Sequence, residues 1–113
     1  MHANRRRGEV VAKLDGRDWR LRLTLGALAE LESAFAAQDL NALVERFATG
    51  RLSAGDMAKL IGAGLRGGGA EVADEAVLAM HHDDGAAGFA AIVAELLTAT
   101  FGGATAEPVP QNP

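Results

Sequence analysis

Apolar and polar positions alternate from Glu9 to Leu25, and an Asp15-Gly16 pair interrupts the alternation at its centre. Asp-Gly is a favoured two-residue hairpin turn, because both central residues must take positive φ. Counting outward from that turn pairs Leu14 with Arg17, Lys13 with Asp18, Ala12 with Trp19, Val11 with Arg20, Val10 with Leu21 and Glu9 with Arg22. A longer loop would shift this register by two residues and leave the faces unchanged. Val10, Ala12, Trp19, Leu21 and Leu23 then share one apolar face. The opposite face sets Lys13 against Asp18 and Glu9 against Arg22, cross-strand pairs worth about 0.2–1 kcal/mol each. A two-stranded hairpin is marginal alone in water, so its apolar face calls for a helix layer or a partner strand.

At Thr24 the period lengthens to that of a helix. Thr24 is placed to cap a helix carrying Leu28, Leu31 and Phe35, with Ala27 and Ala34 beside them, Glu30 and Glu32 toward water, and an end near Ala37. Asp39 can cap a second helix with the stripe Leu40, Leu43, Val44 and Phe47, closed by Gly50. Ser53 and Asp56 form a capping box, with Asp in place of the usual Glu, that opens a third helix bearing Met57, Leu60, Ile61 and Leu65. Gly67-Gly68-Gly69 ends it. Asp74 is the expected cap of a short fourth helix with Val77, Leu78 and Met80, and residues 81–85 form a polar break. The last helix, Ala86 to Phe101, is the most apolar and is expected to centre the core through Phe89, Ile92, Val93, Leu96, Leu97 and Phe101, with Gly102-Gly103 as its stop. The pattern predicts an α+β fold: an N-terminal antiparallel β-hairpin followed by a compact bundle of about four to five short helices. One domain over residues 9–103 is expected, between a disordered basic start (residues 1–8) and a disordered tail (residues 104–113) that holds all three prolines.

Composition sharpens this picture. With 113 residues the chain suits one core. Its apolar mass is mostly Ala and Leu, aromatics are only 4% and Tyr is absent, so the helices must be thin and closely packed. Without Cys there are no disulfides and no thiolate metal sites. No run approaches the roughly 18–20 apolar residues that cross a bilayer. Met1–Gly8 lacks the apolar stretch of a secretory signal, so a cytosolic protein is expected. The net charge of −4 is uneven: the first 22 residues carry seven basic against three acidic side chains, the rest four against twelve. The positive end reads as an electrostatic docking surface or as a solvated hairpin face after a basic start.

Several segments invite a chemical reading. The glycines of residues 62–69 sit within and after a helix with no Lys-Ser or Lys-Thr following, so they suit close packing and a helix stop rather than a phosphate loop. In His81-His82-Asp83-Asp84 the two histidines would point about 100° apart on a helix, which disfavours one shared ion, and a polar connection with Asp83 or Asp84 capping the last helix is the simpler reading. The two serines, Ser33 and Ser53, fall on a helix face and at a cap, and Glu30 with Glu32 suits a solvated face. No catalytic, cofactor or metal residues emerge. Arg5-Arg6-Arg7, with Arg20 and Arg22, is the sole argument for nucleic acid, and the acidic balance opposes it.

The blocks Gly8-Glu9-Val10, Leu14-Asp15-Gly16 and Leu21-Arg22-Leu23-Thr24-Leu25-Gly26-Ala27-Leu28-Ala29-Glu30-Leu31-Glu32 resemble the start of a small family encoded in gene transfer agent and related phage tail clusters. The likeness continues through Leu40–Leu43, Arg46-Phe47, Gly50-Arg51-Leu52-Ser53, Leu60 to Gly68 and Phe101-Gly102, covering nearly all of Gly8 to Gly103. The family goes by two descriptions, tail tube protein and tail assembly chaperone. Tube subunits of long tails are β-rich, whereas this chain offers one hairpin and several helices, which favours the chaperone. The resemblance then implies a non-enzymatic cytoplasmic factor that holds the tape measure protein while tube subunits polymerise around it. Amphipathic tape measure segments would meet the charged hairpin face through Arg20 and Arg22, and apolar helix surface through Leu28, Leu31, Phe35, Leu40, Leu43 and Phe47, which are divided between core and partner surface. The competing expectations are a minor structural component of the tail, present in the virion-like particle, and a small nucleic-acid-binding regulator. A free hairpin edge would also permit a homo-oligomer.

Overall fold

The computed structural model describes residues 8–35 and 41–106. The chain runs β1 (Glu9–Leu14), β2 (Arg17–Arg22), α1 (Leu25–Phe35), α2 (Asn41–Ala48), α3 (Ala54–Gly67), α4 (Asp74–Leu78) and α5 (Gly85–Ala106). The fold is α+β, an antiparallel hairpin followed by five helices, as the pattern predicts. The register also agrees, from Leu14 opposite Arg17 to Glu9 opposite Arg22.

The hairpin turn owes its register to positive φ at Asp15 (55°) and Gly16 (74°). It is also tied down at long range. The Asp15 N–H donates to the His81 carbonyl (2.9 Å), and the Asp15 carboxylate accepts from the His81 N–H (2.8 Å). This reciprocal pair fastens the turn to the segment after α4. Asp15→Ala is expected to cost roughly 1–2 kcal/mol, from one lost hydrogen bond and an unfavourable left-handed backbone. Asp15→Asn, which keeps an acceptor, should cost less than half of that, and urea midpoints would compare the two. Trp19 lies half-buried, with its indole N–H donating to the Leu14 carbonyl (3.1 Å) and the Arg17 guanidinium 4.3 Å above its ring. Glu9, expected toward solvent, is buried at the open end of the hairpin.

Caps set the helix starts. Thr24 Oγ1 accepts from the Ala27 N–H (3.0 Å) at the head of α1. The expected end near Ala37, the Asp39 cap and Leu40 lie outside the described residues. At the end of α2 the Arg51 N–H donates to the Arg46 carbonyl and the Gly50 N–H to that of Phe47, a Schellman closure with Gly50 at φ 71°. Ser53 and Asp56 make the reciprocal capping box of α3 at 3.1 and 3.0 Å.

Three expectations are corrected. Asp74 does not cap α4; the N-cap is Ala73, without a side-chain bond, because the Asp74 carboxylate takes an ion pair with Arg66 instead. The turn before α5 is closed by His82, whose Nδ1 accepts from the Asp84 N–H and whose carbonyl accepts from the Gly85 N–H. Gly102-Gly103 does not stop α5, which runs on to Ala106. A glycine inside a helix costs only about 1 kcal/mol relative to alanine, and the alanines that follow favour continuation.

The core also centres differently from expectation. α3, not α5, is its axis: Ala58 and then Leu60 through Leu65 are buried, and α3 packs against β2, α1, α4 and α5. Small residues make this possible. A side chain at Gly64 would press on Leu21 and Leu96. At Gly67 and Gly68 it would strike the Arg22 and Arg20 carbonyls of β2. The register turns those carbonyls away from β1, so the end of α3 covers the outer edge of the sheet.

Candidate binding groove

Among the described residues no group of three or more His, Cys, Asp or Glu could hold a metal ion. Within residues 81–84 the His82 ring lies 6.0 Å from that of Phe89 and fills the space beside Gly88, a packing role. Gly62, Gly64, Gly67 and Gly68 are contact points between α3 and its neighbours, a packing role.

A polar cluster around Arg66 is structural. Arg66 donates through Nη2 and Nε to Glu30 (2.7 and 3.2 Å), and through Nη1 to Asp74 (3.0 Å) and the Val72 carbonyl (2.9 Å). One guanidinium thus ties α1, the chain before α4, and α4 itself to α3. The hydrogen bond to Glu30 chiefly raises the Arg66 pKa, partial burial opposes it and Asp74 adds to it, so the group stays cationic. Both ion pairs are partly exposed, which screens them. Arg66→Ala should therefore cost about 1 kcal/mol, and the cost should shrink in high salt. Thermal melting at two salt concentrations would read both.

The sequence-derived partner residues divide as follows. Leu31 and Leu43 are core residues, each 2% exposed. Leu28, Phe35 and Phe47 are half-buried against that core, and Phe35 has Arg46 and Lys59 within 5.6 and 5.2 Å of its ring. Arg20 is exposed and Arg22 half-buried on β2. Leu40 lies outside the described residues.

An apolar surface opens elsewhere. A hollow of about 130 Å³ lies between the first half of α3, α4 and the start of α5, lined by Met57, Ile61, Val77, Met80 and Phe89 together with three alanines. Leu78 stands at its rim, 61% exposed, although its neighbour Val77 is buried. The hollow exists because Ala54, Ala58 and Ala86 are short, while the connection between α4 and α5 carries Met80 across. Sequence reasoning placed Met57 on the third helix, Leu78 and Met80 on the fourth, and Phe89 among the core residues of the last. The available signal was composition: two of the three methionines line this groove, and methionine adapts to varied partners.

The fold is an α+β chain with an apolar hollow between α3, α4 and α5. The family model described as "Phage tail tube protein, GTA-gp10" matches residues 7–103, and the chain belongs to that family. The description is that of a structural tail component of gene transfer agents and phages, not of an enzyme. No curated protein and no solved structure matched. No helix among the described residues is long and apolar enough to cross a membrane.

Proposed function

We propose that this chain serves tail assembly as a chaperone for the tape measure protein, working in the host cytoplasm, rather than as a subunit of the tube wall. The observation that carries the reading is the small sheet. A wall made of sheets that close into a ring needs strands whose edges accept neighbours on both sides. Here the described residues form one two-stranded sheet, and α3 covers the outer edge of β2 through Gly67 and Gly68. A groove that accepts apolar side chains suits a factor that shields a long helical partner until tube subunits enclose it.

The family description favours a second reading, a structural component retained in the particle. Co-expression with the neighbouring tape measure protein, affinity capture, and mass spectrometry of finished particles separate the two. Capture of the tape measure with absence from particles is the expected result. Stoichiometric presence in particles without tape measure binding would move the assignment to a tail component, and a tape measure that stays soluble alone would overturn the chaperone.

A further inference from the structure

We infer that the groove between α3, α4 and α5 receives an amphipathic helix with basic flanks, which seats one apolar side chain in the hollow. The inference rests on the proposed role as a binding factor and names the chemistry of the segment bound.

Size comes first. About 130 Å³ is close to the roughly 150 Å³ of an apolar protein cavity that takes up benzene, so one large side chain fits. Leu78 at the rim extends the apolar patch outward and offers a second contact to the same helix. Met57 and Met80 can adjust to different anchors, which suits a partner with several similar segments.

Backbone chemistry selects a helix. The groove is walled by helices and the α4–α5 connection, and neither strand of the sheet borders it. An extended segment would find no strand edge there to pair with, so the occupant must satisfy its own backbone hydrogen bonds.

Charge selects the flanks. Residues 53–61 and 74–89, which supply the walls, carry Asp56, Asp74, Glu75, Asp83 and Asp84 against a single lysine. That lysine, Lys59, lies 5.2 Å from the Phe35 ring, toward α1. Asp56 is engaged in the α3 cap and Asp74 with Arg66, while Glu75, Asp83 and Asp84 are exposed. Glu75 stands one turn before Leu78 on α4, and Asp84 borders a different hollow beside β1, so Glu75 and Asp83 are the exposed acids these walls offer, the complement of a helix with lysine or arginine beside its apolar stripe.

The groove is also held open before binding. The Asp15–His81 pair fixes the chain just after Met80, and the capping box fixes the first turn of α3. A preformed site loses less ordering entropy on binding.

The test uses the full chain and two labelled synthetic helical peptides of roughly 18 residues, about five turns. Both carry a leucine stripe; one has lysine flanks and the other glutamate flanks. Fluorescence anisotropy should show saturable binding of the lysine peptide only. Reversing Glu75 and Asp83 to lysine, or replacing Leu78 by serine, should weaken it about tenfold or more. Reversing Glu32 and Glu45, exposed acids on α1 and α2, should change it less than threefold, and raising the salt should weaken binding of the lysine peptide. All these positions are exposed, so melting temperatures should hold and confirm folding. Equal binding of both peptides, or equal effects of the two sets of charge reversals, would overturn the inference. Capture of the intact tape measure by wild type and by Leu78→Ser alike would remove the groove and keep the chaperone. Capture by neither would remove the chaperone, and the peptide titrations would still judge the groove.

Discussion

Replacing Gly68 by alanine is expected to destabilise the fold by about 2–3 kcal/mol, the range for forced overpacking of a well-filled contact. Alanine in place of glycine on a helix usually gains about 0.5–1 kcal/mol, so the expected sign is reversed here. The backbone is not the cause, since Gly68 has φ −84° and ψ 0°, which alanine adopts without strain. The cause is the Arg20 carbonyl of β2, which occupies the place a methyl group would take, and a backbone atom within a paired strand cannot swing aside. Gly67 meets the Arg22 carbonyl in the same way. Gly55, in the first turn of α3, is the internal control. Its added methyl would sit 3.8 Å from Ser53 Oγ, an ordinary contact, so Gly55→Ala should stabilise. Urea unfolding would show a lower midpoint at unchanged slope for Gly68→Ala and a higher one for Gly55→Ala. Equal shifts for the two would mean that α3 and β2 do not approach as closely as described.

The hairpin was legible in the sequence because its information is local. Asp15-Gly16 fixes the turn, the turn fixes the register, and strict alternation fixes the faces. The capping box at Ser53 and the closure at Gly50 were legible for the same reason, since each is decided within six residues. Two of the misreadings involve a choice settled at a distance. Asp74 looks like a cap until Arg66, eight residues earlier, claims its carboxylate. α5 has the more apolar sequence, yet α3 is the axis, because glycine and alanine score low on apolarity and high on how closely neighbours can approach.

The groove was hidden in the same way. Val77, Leu78 and Met80 read as one apolar side of a short helix. The chain after α4 is then drawn to the hairpin turn by the Asp15–His81 hydrogen bonds, across 66 residues of sequence. That path buries Val77, leaves Leu78 outside and lays Met80 along the hollow. No local pattern encodes it.

Leu31→Ala carries the other large expected effect, a loss of about 2–5 kcal/mol, as for a fully buried leucine truncated in a packed core. Ala27 and Leu31 are the buried residues of α1, with Leu28 and Phe35 half-buried and the Arg66–Glu30 bridge alongside, so Leu31 is the largest fully enclosed side chain of this helix. The damage should therefore be uneven. Amide hydrogen exchange is expected to accelerate first and most in Leu25–Phe35, while Leu60–Leu65 in α3 keeps its protection until global unfolding. Leu78→Ala, at an exposed position, should move stability by no more than about 0.5 kcal/mol. The contrast separates folding from binding. A partner lost with Leu31→Ala should return when the variant is assayed at a temperature where α1 is formed, because Leu31 faces α3. A partner lost with Leu78→Ala should not return on cooling, because the side chain removed belongs to the contact itself. If instead Leu31→Ala leaves exchange in α1 unchanged and still abolishes binding, then α1 presents Leu31 outward in the complex and the docking surface lies on α1 rather than in the groove.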